Sequence, residues 1–152
     1  MKKIMIIMAV ALCALASNAA SFKWSATGVN NFAGTDTYTG EATLYAYLST
    51  ADLSTAVAVN TTTMTGGAIA LADSLFTNDS LVGGSIYKFY YTMTDAAGNV
   101  FTSTTKQMKA QATSTPNLVF GSGGTWAAVP EPTSGLLMLV GLAGLALRRK
   151  RA

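Results

Sequence analysis

Few side chains in this chain are equipped for chemistry, and their types exclude more than they permit. The 152 residues include no histidine, and the single cysteine, Cys13, sits in an apolar run near the N-terminus. Without imidazole or a retained thiol, Ser-His-Asp and Cys-His catalysis are excluded, as are the usual zinc and haem ligand sets. A carboxylate pair acting on a glycoside would have to be Asp36 with Glu41 or Asp73 with Asp79. Both pairs lie in Thr/Gly-rich sequence without apolar neighbours to raise one pKa, so solvated loop carboxylates are the plainer reading. Asp95 and Asn99 would supply two oxygens of a calcium site, yet no string of alternating Asp or Asn accompanies them. Turn capping accounts for them better. Gly66-Gly67, Gly83-Gly84 and Gly121 to Gly124 lack the following Lys-Ser/Thr and helix of a phosphate loop. No enzymatic activity, metal or cofactor is expected.

Tyr38, Tyr45, Tyr47, Tyr87, Tyr90 and Tyr91 are the remaining candidates. Exposed tyrosines on a sheet stack on sugar rings, whereas buried ones fill a core that is short of leucine. The core reading is the plainer one, except that Tyr90 falls on the strand face opposite Tyr87 and Tyr91.

Both ends of the chain read as addresses. Lys2 and Lys3 precede the apolar run Ile4 to Leu15, and Ser17-Asn18-Ala19 offers small residues where a signal peptidase inspects them. Residues 1–19 are therefore expected to be a signal peptide cut after Ala19. A cut after Ala20 is the second choice, since it puts Asn18 where a small residue is preferred. Leu12 before Cys13 argues against lipidation, and the mature chain then has no cysteine to form a disulfide.

At the other end, Pro130, Glu131, Pro132, Thr133 and Ser134 precede an apolar stretch, Gly135 to Leu147, which Arg148, Arg149, Lys150 and Arg151 close. A stiff polar motif, a hydrophobic stretch and a basic stop fit a segment held in a bilayer with its basic cluster on the cytoplasmic side. Thirteen apolar residues fall short of the roughly twenty that span a bilayer comfortably. The adjacent basic cluster and the Pro-Glu-Pro nevertheless argue against burial in a soluble core. This arrangement resembles the PEP-CTERM sorting signal of Gram-negative bacteria. The resemblance implies recognition by an exosortase-type membrane enzyme, a short glycine-containing membrane helix over 135–147, and an extracytoplasmic protein often made alongside exopolysaccharide. It implies no enzymatic activity. The expected partners are signal peptidase, the exosortase-type enzyme, the inner membrane and exopolysaccharide.

The targeting segments also explain the charge. Of ten basic and seven acidic residues, +3 in all, six basic and one acidic lie in the two ends. Four against six remain in Ser21 to Val129, or −2, so no basic patch for nucleic acid is left. That region is 109 residues long, enough for one domain with a modest core. Thirty of its residues are Ser or Thr and eleven are Gly, a composition that suits pleated sheet better than helix.

The domain is expected to be all-β, a small β-sandwich over 20–120 of six to eight short strands, with 121–129 as a flexible tether. Tyr87, Phe89, Tyr91 and Met93 alternate with Lys88, Tyr90, Thr92 and Thr94, which places the first set on one strand face. Asp95 to Asn99 supplies the turn, and Val100 to Thr105 returns. The run Tyr91 to Asn99 resembles the late hairpin of bacterial immunoglobulin-like modules, which implies a sandwich and no function. Further strands are expected over Phe22 to Thr27, Ala42 to Leu48, Ala56 to Val59, Thr61 to Met64, Ala68 to Leu71 and Asn117 to Phe120, with a helical turn at Asp52-Leu53-Ser54 or within Ala70 to Phe76.

Three functions fit these features. An exported cell-surface or extracellular-matrix structural protein fits the low charge and polar β composition best. A carbohydrate-binding or adhesive module would need a cluster of exposed aromatics. An enzyme fits least. Dense threonine at Thr61 to Thr63 and Thr102 to Thr105, with Asn60-Thr-Thr and Asn78-Asp-Ser, also makes the domain a candidate for glycosylation, O-linked in preference to N-linked.

Overall fold

The computed structural model describes residues 19–129. All but Ala19 of the signal peptide expected over 1–19, the motif Pro130 to Ser134, the helix expected over 135–147 and the basic stop lie outside the described residues.

Nine strands form two sheets among the described residues. The smaller holds β1 (Ala19–Ala26), β4 (Phe76–Val82) and β8 (Asn117–Phe120) in the order β4-β1-β8. The larger runs β3 (Val57–Met64), β2 (Gly40–Leu48), β5 (Ile86–Thr94), β6 (Val100–Ser103), β9 (Gly124–Ala127), and β7 (Lys106–Lys109) pairs with the first half of β5. The period of two on β5 holds throughout: Tyr87, Phe89, Tyr91 and Met93 are buried and their alternates are not. The same period on β1 and β2 buries Phe22 and Trp24 against them, along with Ala42, Leu44 and Ala46. Phe22 meets Phe89 at 5.1 Å between ring centroids, and Trp24 meets Tyr91 at 5.5 Å. These contacts join the two sheets face to face around an aromatic core. They also show that β1 and β5 run the same way, so Ala19 and the Asp95–Asn99 turn lie at opposite ends of the sandwich.

Several expectations change. Gly124–Ala127 is the edge strand β9, with Val100 opposite Ala127 and Ser103 opposite Gly124, so 121–129 is not a free tether. Its glycine has a packing cause. A side chain at Gly124 would collide with the Phe101 ring and the Thr102 carbonyl, so a residue that reads as linker marks close approach. Trp126 closes the contact, its ring 5.4 Å from Phe101 and 5.9 Å from Tyr38. The strands expected over Ala56 to Val59 and Thr61 to Met64 are the single strand Val57–Met64 with a bulge at Val59: Leu44 faces Asn60 while Tyr45 faces Ala58. Ala68 to Leu71 makes only isolated bridges, Thr65 with Ala68 and Ala26 with Ile69. Short 3-10 turns form at both suggested places, Leu53–Thr55 and Leu71–Asp73.

Candidate functional site

Of the sequence-nominated site residues, Ala19 opens β1, opposite Val82. The sorting motif and basic stop lie beyond the described residues, but the chain leading to them is held. The Val129 N–H donates to Asn99 Oδ1 at 3.1 Å. Asn99 is itself fixed by Asp95, whose Oδ1 accepts from the Ala97 and Asn99 N–H groups at 2.9 and 2.8 Å and whose Oδ2 accepts from Asn99 Nδ2 at 2.8 Å. The Asn99 hydrogen bond is the main reason the Asp95 carboxyl is held below its ordinary range. Gly98 takes the positive φ, +89°, that this turn needs. Asp95 and Asn99 are thus a turn cap that also grips the last described residue.

Three of the carboxylates weighed for catalysis are exposed. Asp36 is in an exposed loop, and Glu41 and Asp79 are exposed on strands of different sheets. Among the described residues no three of Asp, Glu, His or Cys gather as a metal site.

The tyrosines divide. Tyr38, Tyr87 and Tyr91 are buried, and burial pushes the Tyr91 phenol up to about 12. Its hydroxyl has no hydrogen-bond partner among the described residues. Tyr45, Tyr47 and Tyr90 stand half-buried on the outer face of the larger sheet. Tyr45 lies directly across from Tyr90, and their rings stack at 5.2 Å, 10° from parallel. Tyr47 meets Tyr90 edge-on at 6.4 Å, with Lys88 Nζ 5.9 Å above the Tyr47 ring. Partial burial, then the neighbouring Tyr45 and Tyr47 hydroxyls, raise the Tyr90 pKa. Beside this cluster Glu41, Thr43, Tyr45, Thr92 and Thr94 line a shallow hollow of about 230 Å³. Alternation alone put Tyr90 outward. The clustering depended on the β2–β5 register, which no local pattern displays.

Residues 128–151 match the family model of the PEP-CTERM protein-sorting motif. The chain carries a PEP-CTERM sorting motif. It is therefore a sorting-signal protein, and that motif implies processing by an exosortase-type membrane enzyme and an extracytoplasmic destination. The match begins at Ala128, one residue after β9 ends, so the β domain stands next to the PEP-CTERM segment with no linker between them. No curated protein and no solved structure matches the chain.

Proposed function

We propose that this protein is an exported, exosortase-sorted structural component of the cell surface or extracellular matrix, with no catalytic role. The signal peptide is removed after Ala19. The segment 135–147 then holds the chain at the inner membrane with Arg148 to Arg151 on the cytoplasmic side, until the enzyme cuts or transfers it near Pro130 to Thr133. The observation that carries this reading is the sorting motif at 128–151, directly behind a folded β domain. Deleting the exosortase gene of the producing cell tests the assignment. The chain should then accumulate in the membrane fraction with its C-terminus intact. An unchanged distribution would contradict it.

A second reading, a carbohydrate-binding or adhesive surface module, is favoured by one observation. Three of the six tyrosines cluster, half-exposed, on the outer sheet face.

A further inference from the structure

The strand registers of the larger sheet align five threonines in one row. Thr61 lies opposite Thr43, Thr43 opposite Thr92, Thr92 opposite Thr102, and Thr102 opposite Thr125. The row crosses β3, β2, β5, β6 and β9. At the usual strand spacing it is about 19 Å long. Glu41, exposed on the same outer face, fixes the side of the row, since Glu41, Thr43 and Tyr45 alternate with the buried Ala42 and Leu44. The Thr43 and Thr61 hydroxyls touch at 3.1 Å, and each hydroxyl can donate once and accept twice, so capacity for a ligand remains.

One row along from Thr43 and Thr61 stand Tyr45 and its other cross-strand partner, Ala58. Tyr90 covers one face of the Tyr45 ring. On the opposite side the cross-strand neighbour is the small, exposed Ala58, whose methyl group can cover little of a ring. Lys88 occupies the face of Tyr47. Tyr45 is therefore the tyrosine of this cluster that stands beside a small, exposed cross-strand neighbour.

We propose that Tyr45, Ala58 and the threonine row bind a neutral polysaccharide, one pyranose ring stacking on Tyr45 and its neighbours laid across the strands along the hydroxyls. This deepens the binding-module reading above and rests on it. The charge fits a neutral chain, because Glu41 on one side of Tyr45 and Lys88 on the other cancel. A polyanion would meet Glu41 beside the hollow. An added peptide strand would use the outer edge of β3, which pairs with no strand among the described residues, and would not need the ring of Tyr45.

Affinity electrophoresis of the exported protein tests the proposal, with hydroxyethylcellulose and galactomannan as neutral probes and alginate as the anionic one. Retardation by a neutral probe is expected, weakened about three- to tenfold by Tyr45→Ala through the lost stacking. Ala58→Leu, on an exposed edge-strand position, should weaken it comparably by covering that side of the ring while Tyr45 remains. Retardation that neither substitution changes would overturn this site and leave the binding-module reading standing. Retardation by alginate alone would overturn the ligand class. No retardation by any probe, with circular dichroism showing an intact fold, would overturn both.

Discussion

Trp24 Nε1 donates to Asn60 Oδ1 at 2.9 Å, tying the central strand of the smaller sheet to the edge strand of the larger. The bulge in β3 makes the contact, because it pairs Asn60 with the inward-facing Leu44 and so aims its amide into the sandwich. Asn60→Ala leaves the buried indole N–H unpaired, and a loss of about 1 to 3 kcal/mol is expected in urea unfolding. The same contact holds the amide of the Asn60-Thr-Thr sequon by its oxygen and keeps it turned into the sandwich. Asn78 is similarly engaged, its Nδ2 donating to the Val59 carbonyl at 3.2 Å. Peptide mapping should find both asparagines bare.

Phe89 should be the costliest single truncation on β5. It is fully buried, 5.1 Å from Phe22 and 6.2 Å from Tyr87 between centroids. Phe89→Ala is expected to cost about 3 to 5 kcal/mol. Against a total of about 5 to 15 kcal/mol for a domain of this size, that is a large share. A midpoint shift in urea corresponding to less than about 1 kcal/mol would contradict its place in the core.

Alkali should weaken the domain, in part through Tyr91. Its pKa is raised by burial from 10.0 to about 12, so the folded state holds the proton more tightly than the unfolded chain. The stability this represents is complete below pH 10 and is lost as the pH climbs from 10 towards 12. Tyr91→Phe removes the ionisable and unpaired hydroxyl together. The variant should be at least as stable at pH 7 and should lose less stability than the native chain between pH 10 and 12.

The segment ahead of the sorting motif should behave as folded chain. Trp126 donates its Nε1–H to the Asn30 carbonyl at 3.1 Å, and the Val129 N–H is held by Asn99. Hydrogen exchange should protect the amides of Thr125 and Ala127, two positions in register with β6, far more than an open linker would allow. Asn99→Ala should release Val129 and raise its exchange rate. Free exchange throughout 121–129 in the native protein would contradict the β9 pairing.

The parts of the fold that were legible in the sequence are those with a strong local signal. The alternation from Tyr87 to Met93 and the Asp95–Asn99 cap locate the central hairpin because side-chain period and turn chemistry are properties of neighbours in sequence. Strands β4, β7 and β9 were missed for the opposite reason. Phe76–Val82 carries Asn78 and Asp79, Lys106–Lys109 is half basic, and Gly124–Ala127 follows a glycine run. Each becomes a strand through a partner distant in sequence, which outweighs weak local propensity. At the outer face, single residues could be assigned outward by alternation. The threonine row and the Tyr45–Tyr90 stack needed cross-strand registers that only the assembled sheet defines.

The central claim is that the chain is processed at both ends and delivered as the β domain. Intact-mass measurement of the protein recovered outside the inner membrane of its own cells tests this most directly. The expected mass begins at Ala20 and ends within Pro130 to Thr133, with any additional mass attributable to threonine-linked sugar or to a group joined at the new C-terminus. A species that still ends in Arg151-Ala152, in cells with an active sorting enzyme, would contradict cleavage and leave membrane retention as the description of its fate.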